Sequence, residues 1–288
     1  MFSSLEGFYG TGFAKPVNEF TADLSDSVAL RVYSSTRPRN LKIASLQKGL
    51  IFVHEGMEQV GEGGGFGLPI LIYEDETYFS GSSIVSVDHY GMTTRIFKEF
   101  LMDHVNRSSF MNVTLHSRKV RSVMRRLAEL YQNNKRLQFL ALRELSLSLG
   151  VESVYLKVPA VCKLLVCYEI KGQSVKVTVD YSQADRRGLE KVVVLNEQSG
   201  TFFRFYRDST LPDFVDEIPA WERVTSQWAC LLNPQRNIGY RLWDVENSSL
   251  IRGRESLADF LDWAGLDYEF LPRRSVFEYE IQFLGVNS

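Results

Sequence analysis

The chain has 288 residues, and its 33 Lys and Arg against 35 Asp and Glu give a formal net charge of −2. This balance excludes a chain-wide basic character like that of a histone, and 44% hydrophobic residues exclude disorder as the dominant state. The 4 Trp, 13 Tyr and 19 Phe residues predict a soluble protein with a large, aromatic-rich core.

The first ten residues lack the basic and apolar regions of a secretory signal. Because no stretch approaches about 18 uncharged apolar residues, we expect no membrane-spanning helix. The cysteines Cys162, Cys167 and Cys230 have the spacing of neither a zinc site nor a disulfide framework. They are expected to be reduced and buried, which indicates a reducing, cytoplasmic location.

Short apolar runs separated by Gly, Asn, Asp and Ser occupy residues 27–84. Such spacing is typical of antiparallel β structure. The predicted strands are residues 28–33, 50–53, 68–73 and 77–79.

A glycine-rich stretch interrupts this region, with five glycines among residues 61–67. It lacks the Gly-Lys-Ser/Thr ending of a phosphate loop, and a strand instead of a helix is predicted to follow. We expect a close backbone approach at Gly63 and Gly65, either to a ligand or to a neighbouring sheet. Glu62 would then supply the one carboxylate of a surface whose glycines have no side chains. The alternative is a bulged or crossing strand packed under aromatic rings.

Residues 117–150 have helical periodicity, with Ser117 as a predicted N-cap and Gly150 as the stop. The segment holds eight basic and two acidic residues. It is either an anion-binding surface or a solvated helix against an acidic body. Nucleic acid is disfavoured because no Phe or Tyr is interleaved with the basic residues of 118–126.

The β pattern returns after residue 150. One hairpin is predicted at Lys171-Gly172, and a second joins residues 192–195 to 201–206. Further strands are predicted at residues 224–232, 238–245 and 276–284, and a short amphipathic helix at 254–265. The sum is a mainly β protein: a large antiparallel β-sandwich with a helical insertion around 117–150. We favour a single domain over residues 1–288, with two β domains (1–116 and 151–288) as the alternative.

Residues 218–228 combine tryptophans with polar groups. In a continuous strand, Glu222 and Trp228 would share one face, and Trp221 and Arg223 the other. Indole rings stack on the apolar side of a sugar ring, while carboxylate and guanidinium groups bind its hydroxyls. The stretch therefore indicates a carbohydrate site, and one buried Trp with ordinary surface charges is the alternative.

The four histidines lack metal-ligand spacing, so we expect neither a metal nor a cofactor. His54 and His89 each follow or precede an acidic residue, but sequence neighbours on a strand point to opposite faces. Acid–base work by His89 therefore needs a carboxylate from elsewhere in the fold.

The β-rich length, the aromatic load and the segment 61–67 running into Leu68-Pro69 resemble the galactose-mutarotase-like supersandwich proteins. That family implies a fold found in sugar epimerases, in polysaccharide lyases and in accessory domains of glycoside hydrolases. The resemblance is one of general character and transfers no catalytic residue.

Two functions fit these patterns. The first is a carbohydrate-binding or carbohydrate-active protein of epimerase, lyase or hydrolase type. Its candidate catalytic residues are Glu62, Glu222 and His89, and its candidate substrate-binding residues are Trp221, Trp228, Arg223, Gly63 and Gly65. The second is a non-catalytic binding or assembly protein whose basic helical segment docks an acidic partner or nucleic acid. A small-molecule or oligosaccharide ligand is expected, and homo-oligomerisation is left open.

Overall fold

The computed structural model describes residues 14–36, 40–41, 47–60, 64–74, 76–91, 93–110, 113–114, 151–211, 213, 221–258 and 261–285. All regular elements within these ranges are β-strands, which confirms the mainly β, antiparallel class. The helical insertion predicted at 117–150 lies outside the described residues. Nothing in these ranges is a helix of the length and apolarity needed to cross a membrane.

The strands are numbered in chain order. The first eleven are β1 (Lys15–Val17), β2 (Glu19–Asp23), β3 (Val28–Tyr33), β4 (Ser35–Thr36), β5 (Asn40–Leu41), β6 (Ile51–His54), β7 (Met57–Glu58), β8 (Gly65–Tyr73), β9 (Thr77–Tyr90), β10 (Thr93–Phe110) and β11 (Val113–Thr114). The others are β12 (Val151–Lys171), β13 (Ser174–Asp180), β14 (Leu189–Ser199), β15 (Phe205–Asp208), β16 (Glu222–Arg223), β17 (Trp228–Asn233), β18 (Ile238–Trp243), β19 (Ser248–Ala258), β20 (Leu261–Phe270) and β21 (Val276–Leu284).

One continuous series of antiparallel ladders organises the fold. It runs in the order β16, β19, β20, β14, β8, β9, β10, β12, β13, β21, β18, β17 and β15. The sheet bends so that distant members meet, because β17 contacts β20 and β13 contacts β8. A separate four-stranded sheet, β2-β3-β6-β7, packs beside it.

The inner faces of these layers share one hydrophobic core. Alternate residues of β3 (Val28, Leu30 and Val32) belong to it together with side chains of β8, β12 and β18. Phe66 of β8 meets Tyr240 of β18 edge to face, with the ring centroids 4.9 Å apart. Such aromatic contacts between strands far apart in sequence hold the bent sheet closed on itself.

Several sequence predictions are confirmed. The strands at 28–33 and 276–284 have the predicted bounds, and Lys171-Gly172 forms the tight turn between β12 and β13. The predicted helix at 254–265 is wrong. Residues 254–258 instead pair with residues 261–264 as the β19–β20 hairpin, and Trp263 and Ala264 are both buried although they lie on opposite faces. Burial on two faces of a strand produced an apparent helical periodicity.

The predicted second hairpin is also wrong. Residues 196–199, predicted as a turn, continue β14, which pairs with β8 and β20. Buried polar residues are tolerated in this part of β14 because their side chains are hydrogen-bonded inside the core. Gln198 Oε1, for example, accepts a hydrogen bond from the backbone N–H of Phe52 at 3.3 Å.

The glycine-rich segment makes the close approach predicted for it, and its partner is the protein itself. Gly67 has φ +74°, and a β-carbon there would lie 2.8 Å from Tyr168 Oη. A β-carbon on Gly65 would lie 2.7 Å from the backbone nitrogen of Gly49. The space above Gly65 is therefore filled by a neighbouring backbone segment, and Gly67 lies under an aromatic ring.

A buried asparagine joins four parts of this core. The Asn196 side-chain oxygen accepts hydrogen bonds from Gly67 N (3.1 Å) and Tyr279 Oη (2.6 Å). Its amide nitrogen donates to the carbonyl oxygen of Leu266 (3.0 Å), and its own carbonyl accepts from Tyr240 Oη (3.0 Å). Asn196 thereby fixes the glycine kink of β8 against β14, β20, β18 and β21.

We predict that Asn196→Leu lowers the free energy of unfolding by about 3 kcal/mol or more, because buried partners left without a hydrogen bond cost about 1–3 kcal/mol each. Urea denaturation would measure the loss. Gln235→Leu, in an exposed turn, is the control and should change stability by less than about 0.5 kcal/mol. Equal effects of the two substitutions would contradict a structural role for the network.

Lys98 of β10 points into the core between Ile96 and Phe100 and is 1% exposed. Its Nζ donates to the carbonyl oxygen of Tyr33 at 2.8 Å and lies 5.2 Å from the Phe100 ring centroid. Burial lowers the pKa of Lys98 to about 7. Lys98 thus ties the end of β3 to the large sheet through one backbone acceptor.

Lys98 should make stability rise with pH. Between pH 7 and about 10 the unfolded chain keeps a proton that the folded chain has released, so stability increases by about 1.4 kcal/mol per pH unit. Lys98→Met should therefore be more stable than the wild type at pH 6, with the difference shrinking by pH 9.5. Urea denaturation at both pH values measures this, with the exposed Lys176→Met as control. A difference independent of pH would refute it.

Candidate functional site

The strands β15, β17 and β18 have one face in the core and one outer face. Ala229, Leu231, Tyr240 and Leu242 point into the core. The alternate residues lie on the outer face, and four of them form what we call the Trp–Arg patch: Trp228, Cys230, Arg241 and Trp243.

Strand register places the members of this patch side by side. Trp228 lies opposite Trp243, and Cys230 lies opposite Arg241. On the other side of β17, Arg207 of β15 is also opposite Cys230. Both tryptophans and both arginines are half-buried. The patch therefore presents two indoles and two guanidinium groups on one surface of the sheet.

Arg241 is stacked on the Trp228 indole, with the Trp243 indole further away. Its Cζ lies 4.4 Å from the Trp228 ring centroid and 6.0 Å from that of Trp243. Its Nε is buried and has no hydrogen-bond partner among the described residues. Stacking engages the flat face of a guanidinium group, whose N–H donors lie in the plane of the group.

Cys230 does not neutralise this charge. Burial raises the pKa of the Cys230 thiol to about 11, although the nearby Arg241 and Arg207 charges act in the opposite direction. The thiol is therefore neutral near pH 7. The thiol thus adds no negative charge beside Arg241.

The other predicted tryptophan, Trp221, lies elsewhere on the outer surface. It covers a pair of facing glycines, because a β-carbon on Gly253 would clash with Trp221 Cδ2. A β-carbon on Gly265 would lie 2.8 Å from Glu197 Cγ, 3.1 Å from Asp267 Oδ1 and 3.2 Å from Trp221 Cη2. Trp221 is thus held against the backbone of Gly253, and the Glu197 and Asp267 side chains lie with it around Gly265.

Glu222 points inward and is paired with Arg252, whose Nε lies 2.9 Å from Glu222 Oε1. The Arg252 Cζ in turn lies 3.9 Å from the centroid of the Tyr206 ring. Arg223, the neighbour of Glu222, is exposed. The segment is not one continuous strand as predicted, because it breaks at residues 224–227 and Val224 enters the core.

His89 is exposed at the end of β9, where its Nδ1 lies 3.4 Å from Thr94 Oγ1. Glu62 and Gly63 lie outside the described residues. No contact in the described part of the chain joins His89 to Glu222, and their strands are separated by β8, β14, β20 and β19 in the ladder order. The catalytic assignments of Glu62, Glu222 and His89 stay predictions.

Of the patch residues, the sequence pattern pointed to Trp228 and not to Arg241 or Trp243. The signal was present, because residues 238–245 were predicted as a strand, and alternation places Gly239, Arg241 and Trp243 on one face. Their position opposite Trp228 depended on register, which the sequence does not show. Within the described ranges, no three His, Cys, Asp or Glu residues cluster to hold a metal ion.

Comparisons with known proteins give two remote structural similarities. No family model matches the chain, and no curated protein matches it. The α-N-acetylgalactosaminidase NagBb from Bifidobacterium bifidum aligns with 93% of this chain at 10% identity and a TM-score of 0.48. The chain spans 36% of that protein. Slr1438 from Synechocystis aligns with 94% of this chain and 95% of its own at 9% identity and a TM-score of 0.37. Similarities at this level assign no function, and the galactose-mutarotase-like resemblance is not confirmed.

Proposed function

We propose that the protein binds an acidic carbohydrate on the Trp–Arg patch. The observation that carries the proposal is Arg241, a half-buried guanidinium group that is stacked on Trp228 and whose buried Nε has no hydrogen-bond partner among the described residues. A partly desolvated charge without a partner is unfavourable, and an anionic ligand would compensate it.

The geometry favours a carboxylate as the anion. A stacked guanidinium group presents parallel N–H donors along its edge, and these match the two oxygens of a carboxylate. Arg207 stands on the opposite side of Cys230 and adds positive charge to the same surface. A sugar acid such as a uronate carries both a carboxylate and a pyranose ring.

The indole rings would bind the sugar ring, as Arg241 would bind the carboxylate. Trp243 is half-buried beside Arg241, and its ring would contact the apolar face of a pyranose while Arg241 binds the carboxylate. The proposed role of the patch is binding alone. Acid–base chemistry by Glu62, Glu222 or His89 remains a separate prediction, and so does docking through the basic segment 117–150.

The test is isothermal titration with oligogalacturonate, alongside its methyl-esterified form, which keeps the rings and removes most of the charge. We expect the charged form to bind more tightly and Arg241→Gln to lose at least tenfold in affinity, about 1.4 kcal/mol. Arg241→Lys should lose affinity as well, because an ammonium group keeps the charge but lacks the bidentate edge.

Arg236→Gln is the matched control, since Arg236 is an exposed arginine in the turn before β18 that pairs with Glu55 at 3.4 Å. Its affinity should equal that of the wild type. Equal binding by wild type and Arg241→Gln would refute the proposed site. Binding of inorganic phosphate or sugar phosphates in preference to the uronate would reject the carboxylate assignment.

A further inference from the structure

A second polar site lies on β10, far along the ladder from the Trp–Arg patch. The register of β10 shifts between Met102 and His104, where Asp103 forms a bulge against β9 and residues 158–161 of β12 bulge against β10. The bulge brings two sequence neighbours together: His104 Nδ1 lies 2.7 Å from Asp103 Oδ1. Both side chains are buried, with 1% and 4% exposure.

The backbone of β9 holds this pair in place. Gly81 N donates to Asp103 Oδ1 at 3.0 Å, and a β-carbon on Gly81 would clash with His104 Cε1. Lys157 Nζ lies 3.9 Å from the other carboxylate oxygen. Only glycine leaves room for the imidazole beside the carboxylate, so the orientation of the ring is fixed.

The carboxylate also fixes the tautomer. An ionised Asp103 can only accept, so in the neutral imidazole the proton is on Nδ1 and Nε2 carries a free lone pair. His104 Nε2 is buried and has no hydrogen-bond partner among the described residues. A buried acceptor without a donor costs about 1–3 kcal/mol, so a purely structural histidine is expected to have both nitrogens satisfied.

A second acceptor without a partner lies on the same face. Asn106 is two residues further along β10, and its Oδ1 is likewise buried and unpartnered among the described residues. The strands on either side place Phe79 opposite His104 and Tyr155 opposite Asn106. These two rings meet edge to face with centroids 4.8 Å apart. Apolar walls with a few convergent polar atoms are typical of small-molecule sites.

We propose that His104, oriented by Asp103, is a base in a ligand site for a small hydroxyl-bearing molecule with an apolar ring. The ligand hydroxyl donates to His104 Nε2, and the ring packs against Phe79 and Tyr155. When the proton transfers, the O–H bond breaks, the oxygen keeps the electron pair and Nε2 gains the proton. Asp103 stabilises the imidazolium that forms, and the proton returns to the oxygen or passes to water.

Diethyl pyrocarbonate tests whether a small molecule reaches this nitrogen in the folded protein. The Nε2 lone pair bonds to a carbonyl carbon, and ethyl carbonate leaves, takes the Nδ1 proton and decomposes to ethanol and CO2. Peptide mass spectrometry gives the rate at each histidine. His89 is the exposed reference, and His54, which is 5% exposed, is the buried one.

We expect His104 to react at least tenfold faster than His54 in the native protein. Asp103→Asn should slow the reaction at His104 at least tenfold. Its amide oxygen, held by the Gly81 N–H, still accepts from Nδ1 but lacks the negative charge that stabilises the positively charged ring formed on acylation. Gly81→Ala, which displaces the ring, should also change the rate at His104. Unchanged His54 and His89 rates in both variants show that the fold is retained.

Phenol is the ligand probe, and anisole, which has the ring but no O–H, is its control. Phenol should protect His104 of the wild-type protein from modification, and anisole should not. This protection experiment uses the wild-type protein alone, so it does not depend on whether a variant folds. The proposal is overturned if His104 reacts only as fast as His54 and both accelerate together in urea, because His104 would then be reached only by unfolding. Equal protection by phenol and anisole would overturn the hydroxyl-binding role.

Discussion

The hydrogen-bonding position of Asn196 is the constraint on which the rest of the structure depends. A sheet that bends until its two halves share a core must bring kinked backbone and tyrosine hydroxyls into an apolar interior. Each of those groups needs a partner, because water does not reach them. One fully buried amide supplies partners to Gly67, Tyr279 and Leu266. The strained β8 segment is therefore stable where it lies.

Because the sheet bends around a core, its inward-facing and outward-facing side chains have different roles. Inward residues of the ladders are committed to packing, including the ion pair between Glu222 and Arg252. Outward residues remain available, and alternation gathers them into rows across neighbouring strands. The Trp–Arg patch is one such row. The Asp103–His104 pair arises differently, because a bulge of β10 against β9 interrupts alternation and turns two neighbours toward each other.

The alternating apolar pattern was sufficient to predict the β class, the strand at Val28–Tyr33 and the turn at Lys171-Gly172. It failed at residues 254–265, where burial on both faces looked helical, and at 196–199, where buried polar residues looked like a turn. Only some residues of the candidate sites could be predicted from the sequence. Trp228 was a candidate because residues 218–228 combine tryptophans with polar groups. Its neighbours Arg241 and Trp243 could not be identified, because their position opposite Trp228 depends on the register of β17 and β18. The rule that strand neighbours point apart is correct for regular strands and fails at the bulge that joins Asp103 to His104.

The described ladder ends in short strands, and this bears on association between copies of the chain. At one end β16 is two residues long and both are charged, and at the other β15 is four residues long and includes Arg207 and Asp208. A brief, charged strand is a poor template for a passing β-segment. The two ends of the main series of pairings thus limit edge-to-edge aggregation between copies of the chain.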